Sequence, residues 1–99
     1  MKISGSVTDI KTGEPIVGAN IIVKREQVEG EIPFFTGAAT DTEGKYITPK
    51  LSQGTYEIKF RNIGYEEKME YIVINRSSGT LLLDAELKSK SVKLDEVVI

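Results

Sequence analysis

The carboxylates Asp9, Glu14, Asp41 and Glu43 fall in turn-like stretches of the chain, and oxygen ligands converging from one end of a domain could hold a Ca²⁺ ion. Their spacing does not match an EF-hand loop, and turns also favour Asp for the hydrogen bonds it makes to its own backbone. No metal is therefore assigned to them. Paired carboxylates for glycoside hydrolysis need a cleft and a raised pKa that a small β domain seldom provides. Histidine and cysteine are both absent from the 99 residues. That removes a Ser-His-Asp or Cys-His relay, a histidine- or thiolate-bound metal, a disulfide framework and any side chain that ordinarily titrates near neutrality. The chain is read as noncatalytic, with no cofactor.

Two other groups of residues could act by contact. Phe34 and Phe35 end a polar stretch running from Arg25 to Phe35, and large apolar side chains on a loop mark an interface unless one of them packs back on a sheet. Tyr65, in the bend Asn62-Ile63-Gly64-Tyr65, is either a similar contact or a core cap with a bonded hydroxyl. The last residues, Leu94, Asp95, Glu96, Val97, Val98 and Ile99, follow the small and charged stretch Lys88-Ser89-Lys90-Ser91-Val92-Lys93. Their β-branched end suits an extended segment that lends backbone groups to the open sheet edge of a partner. The alternatives are pairing with the domain's own edge and a terminus with no docking role. Gly5, Gly13, Gly18, Gly44, Gly54 and Gly64 are scattered through turns and strand ends, so they build no phosphate-cradling loop.

The elements that must position these residues have a period of two. Ile3, Gly5 and Val7 alternate with Lys2, Ser4, Ser6 and Thr8, and a turn signal follows at Lys11-Thr12-Gly13-Glu14-Pro15. Further strands are expected at residues 19–24, 38–41 and 45–48, with Thr42-Glu43-Gly44 closing a hairpin and Gly18 marking a bulge. Tyr56, Ile58 and Phe60 then alternate cleanly with Thr55, Glu57, Lys59 and Arg61. Tyr56 is expected to be buried, its hydroxyl bonded to a nearby loop. Residues 68–74 make a sixth strand and residues 80–87 a seventh, whose inner face is Leu81, Leu83, Ala85 and Leu87. Seven short strands with frequent turn signals predict an all-β fold, a seven-stranded Greek-key β-sandwich over residues 1–88, with residues 89–99 as linker and tail.

Composition agrees with one folded domain: 39% of residues are hydrophobic and 28% charged, with a formal net charge of −2. That balance lacks the basic patch a nucleic-acid partner demands. No apolar run is long enough for a transmembrane helix, and Met1-Lys2 leads straight into strand-like alternation. Such a start also leaves open that the chain is a piece of a larger protein.

The order of short motifs resembles the carboxypeptidase-D regulatory-like domain family. The likeness rests on Ile3-Ser4-Gly5-x-Val7-x-Asp9, Thr12-Gly13-Glu14-Pro15-Ile16-x-Gly18-Ala19-Asn20-Ile21, Thr40-Asp41-x-x-Gly44-x-Tyr46, Gly54-Thr55-Tyr56-Glu57-Ile58, Ile63-Gly64-Tyr65 and Leu94-Asp95-Glu96-Val97-Val98. The resemblance implies a transthyretin-like sandwich and a place ahead of the plug in SusC-like, TonB-dependent outer-membrane receptors. It also implies that residues 94–99 resemble a TonB box. The expected partners are then a TonB-type energy-coupling protein and the plug and barrel of the same chain. Neither nucleic acid nor direct membrane insertion of this segment is expected. The expected location is the periplasmic face of the outer membrane, or the cell surface or exterior. An accessory sandwich of a secreted carboxypeptidase or of a cell-surface carbohydrate-binding protein is the alternative. Two features depart from the family pattern: the long stretch from Arg25 to Phe35, and Thr48 where an apolar residue is common.

Overall fold

A computed structural model describes residues 1–26, 29–30 and 32–90. Its strands are β1 (Lys2–Asp9), β2 (Asn20–Arg25), β3 (Phe35–Ala39), β4 (Lys45–Ile47), β5 (Gly54–Arg61), β6 (Lys68–Ile74), β7 (Thr80–Leu82) and β8 (Ala85–Leu87). They form two sheets: one is ordered β4-β1-β7 with β8 also on β1, the other β3-β2-β5-β6. The expected two-layer sandwich is thus present, with eight strands in place of seven.

Period-two patterning decides which faces meet. Tyr56, Ile58 and Phe60 on β5 and Ile21 and Val23 on β2 turn inward against Ile3, Val7, Tyr46, Ala85 and Leu87 of the other sheet, and all are buried. Ile16 and Leu51, from the connections, complete this core. Among the described residues no buried side-chain nitrogen or oxygen lacks a hydrogen-bond partner.

The extra strand comes from a break at Leu83-Asp84. The parallel register of β1 with β7 runs through Ser4 opposite Leu82, and with β8 it resumes at Val7 opposite Ala85. Between them the Leu83 carbonyl leans over Gly5, so close that an added Cβ there would lie 2.0 Å from its oxygen. The Tyr46 hydroxyl crosses the same gap and donates to that carbonyl at 2.6 Å. Asp84 Oδ1 takes the Ser6 N–H at 2.9 Å, replacing the missing ladder bond. The space beside Gly5 is thus taken by the main chain at Leu83, whose carbonyl the Tyr46 hydroxyl binds.

The third strand also differs from expectation. It begins at Phe35, three residues before Ala38, because Phe35 to Ala39 pair in register with Lys24 to Asn20. Phe35 is therefore a strand residue and not the end of a loop. At the other end, Thr40 opposes two residues: its carbonyl accepts from Gly18 N and its amide donates to Ala19 O. With Gly18 at a φ of 75°, this is the bulge that the glycine signalled. Thr48, the polar departure, is buried without penalty, since its Oγ1 accepts the Ile3 amide at 2.9 Å and donates to Pro49 O at 2.9 Å.

Candidate functional site

Two of the four acidic turn residues, Asp9 and Asp41, are occupied by the amides of their own turns. Asp9 Oδ1 accepts from the amides of Lys11 and Thr12, at 2.8 and 3.1 Å. Asp41 Oδ1 does the same for Glu43 and Lys45, at 2.8 and 2.9 Å. Both carboxyls are held below their ordinary pKa, Asp9 first by the Tyr65 hydroxyl and then by its turn amides, Asp41 by the Lys45 and Glu43 amides. Among the described residues no three acidic side chains gather into a metal-sized cluster.

Tyr65 joins the two ends of this region. Its hydroxyl donates to Asp9 Oδ2 at 2.8 Å, which raises its own pKa, while its backbone forms an isolated antiparallel bridge with Ser89. Glu66 N donates to Lys88 O and Lys90 N to Gly64 O, each at 2.8 Å. The chain is thereby fastened to the 62–66 bend as far as Lys90, and Tyr65 is the hydroxyl-bonded cap of that bend. A polar cleft beside this exit is lined by Asn20, Arg61, Tyr65 and Lys90 among others, and Arg61 pairs there with Glu67 at 3.3 Å.

The two phenylalanines make different contacts. Phe34 packs edge-on against the buried Tyr56 ring, centroids 6.4 Å apart. Phe35 is 60% exposed on the outer side of β3, with Lys24 Nζ 5.8 Å from its ring centroid. Phe34 nevertheless keeps 39% of its surface exposed, so both phenylalanines reach solvent, Phe35 the more so. Tyr56 is fully buried, with its hydroxyl donated to Ser52 O at 2.8 Å. Leu94, Asp95, Glu96, Val97, Val98 and Ile99 lie outside the described residues.

A feature that the sequence reading missed is an open groove of about 560 Å³ along one side of the sandwich, where the outer strands of the two sheets approach each other. Gly37, Ala38 and Ala39 form one wall and residues 45–48 the other. The only trace of it in the sequence is the small, uncharged run Thr36-Gly37-Ala38-Ala39.

A family model described as "CarboxypepD_reg-like domain" matches residues 3–99. No curated protein sequence matches the chain. Among solved structures, 5-hydroxyisourate hydrolase of Klebsiella pneumoniae is similar with a TM-score of 0.66 at 20% identity, covering 92% of this chain and 93% of that one. The TIE protein of Bacillus anthracis gives 0.68 at 18% identity over 89% of this chain. Chlorocatechol 1,2-dioxygenase of Pseudomonas putida gives 0.65 at 16% identity over 88% of this chain. The chain spans 59% of the length of the dioxygenase and 17% of that of the TIE protein. At these identities the likeness establishes the fold, a transthyretin-like sandwich, and not an activity.

Proposed function

The chain belongs to the CarboxypepD_reg-like domain family, and from that premise we propose that it is a noncatalytic accessory domain of a TonB-dependent outer-membrane nutrient receptor, working by protein contact on the periplasmic side. The observation that carries this reading is the construction of the exit: the last described residues, Lys88 to Lys90, are bonded to the bend at Gly64 to Glu66 and lead into Leu94-Asp95-Glu96-Val97-Val98-Ile99. In this mechanism the sandwich is a rigid anchor, and the extended segment lends its backbone to an open sheet edge of the energy-coupling protein. The noncatalytic part of the reading is supported by the absence of histidine and cysteine from the sequence and by the commitment of Asp9 and Asp41 to turn amides.

The test is a titration of the isotope-labelled chain with the periplasmic C-terminal domain of a TonB protein from the same organism, followed by amide NMR. Shifts confined to residues 94–99 and their junction are the expected result. Unchanged spectra at high partner concentration overturn the docking role of this segment.

A further inference from the structure

An outer strand presents a row of backbone N–H and C=O groups with which another chain can pair, and folded proteins ordinarily blunt it with charges, prolines or shortness. Here β4, β7 and β8 are each three residues long, and β6 carries Lys68 and Glu70, paired at 3.6 Å. β3 lacks such protection, since the run from Phe35 to Ala39 has neither charge nor proline. Its ladder with β2 fixes which of its groups are free. Arg25 N donates to Phe34 O, and Thr40 exchanges bonds with the start of β2. Thr36 and Ala38 therefore bond toward β2, and the alternate residues Phe35, Gly37 and Ala39 turn their N–H and C=O groups outward.

We propose that two copies of this chain pair through β3, antiparallel about a two-fold axis at Gly37, so that the sheets ordered β3-β2-β5-β6 in each copy become one. About that axis Gly37 opposes Gly37 and Phe35 opposes Ala39 in both directions. Every outward N–H and C=O of the run then has a partner on the second copy, as a self-complementary interface requires. The side chains fit the same register. On the solvent face Phe35 lies opposite Ala39 and diagonal to Gly37 of the second copy, where no bulk meets its ring. On the other face Thr36 and Ala38, both small, oppose each other beside the open groove. The charges also select a second copy. Among the described residues neither Lys24 nor Asp41 belongs to an ion pair. Lys24 is exposed with Nζ 5.8 Å from the Phe35 ring centroid, and Asp41 spends only Oδ1 on its turn amides. In this register Lys24 lies two strands across and two residues along from Asp41 of the second copy, about 12 Å between Cα atoms, a span that the two side chains close by reaching toward each other. Symmetry repeats the contact at the other end. The remaining charges there are paired or face elsewhere: Glu43 pairs with Lys45 at 3.9 Å, and Glu26 lines a hollow with Thr55, Glu57 and Tyr71, on the side of Lys24 away from β3. One short strand pair buries little area, so the dimer is weak and its two copies exchange. The inference is independent of the receptor reading.

Sedimentation velocity of the full chain from about 20 µM to about 1 mM is expected to show a monomer giving way to a dimer. In a mixture of isotope-labelled and unlabelled chain at the upper concentration, NOEs between copies are expected from Thr36 to Ala38. The amides of Phe35, Gly37 and Ala39 are expected to exchange about tenfold more slowly there than at the lower concentration, with β5 unchanged. Lys24→Glu sets two acids against each other on an exposed position and is expected to raise the dissociation constant about tenfold. Ala39→Pro removes an outward amide that β2 does not use, and is expected to abolish the dimer while exchange in β5 stays slow. A chain that stays monomeric at about 1 mM overturns the proposal. So do contacts between copies that map to β6 or to the other sheet, or a dimer that both variants leave intact.

Discussion

Gly5→Ala tests the packing account at its tightest point. The substitution introduces no backbone strain of its own, because Gly5 is not among the glycines with positive φ. What it meets is main chain: an added methyl lies 2.0 Å from Leu83 O, 2.6 Å from Leu83 C and 3.0 Å from Asp84 Oδ1. A clash with backbone cannot be relieved by turning a side chain, so β1 and the β7–β8 break must separate. Overpacking of this kind costs about 1–3 kcal/mol. The shift also pulls Leu83 O from the Tyr46 hydroxyl, a bond worth about 1 kcal/mol, while the lower entropy of the unfolded alanine chain returns about 0.5 kcal/mol. The expected loss is about 2.5 kcal/mol, read as a fall in the urea midpoint at constant slope. Tyr46→Phe, which removes only the hydroxyl, is expected to cost about 1 kcal/mol. The double variant should cost less than the sum, because both changes act on one contact. If Gly5→Ala unfolds within about 0.5 kcal/mol of the parent chain, the close approach of Leu83 to Gly5 is not what fixes this break.

Three further outcomes follow from the same bonds. Thr40 Oγ1 accepts the Ala19 amide at 2.8 Å and donates to Ile16 O at 2.6 Å while 5% exposed; Thr40→Val leaves both groups unpaired and is expected to cost about 2–4 kcal/mol in urea unfolding, at nearly constant volume. Tyr56→Phe removes the bond to Ser52 O and is expected to cost about 1 kcal/mol in the same assay, leaving the edge contact with Phe34 in place. Asp9 and Asp41 have pKa values below their ordinary 3.8 when folded, so the stability they contribute is present above that value and is lost as pH falls through the folded pKa values. Urea midpoints measured from about pH 5 to pH 2 should therefore fall less steeply in Asp9→Asn/Asp41→Asn than in the parent, and an unchanged slope would contradict the turn-capping role.

The strands that the sequence placed well are those with one buried face and charged residues on the other. Tyr56, Ile58 and Phe60 between Thr55, Glu57, Lys59 and Arg61 admit only one register, because a one-residue slip would bury the charges. β3 was harder to read because Thr36, Gly37, Ala38 and Ala39 barely alternate, and its true start at Phe35 is set by pairing with Lys24. The break at Leu83-Asp84 was invisible in the sequence, since it depends on Gly5 and Tyr46, far away in the chain. Thr48 looked like a misplaced polar residue, but the amide it serves, that of Ile3, comes from another strand. The turn carboxylates were readable as caps from local sequence alone. The groove was not, because whether a strand lies at an edge is a property of topology and not of its own residues.

The most direct measurement of the proposed role is the size and cellular fraction of the native polypeptide that contains these 99 residues, followed with an antibody raised against the sandwich. The receptor account predicts a much larger chain in the outer-membrane fraction, with the domain reached by the antibody only after the outer membrane is opened. A polypeptide found in the medium, or one reached by the antibody on intact cells, would contradict it and favour an accessory domain of a secreted or surface protein.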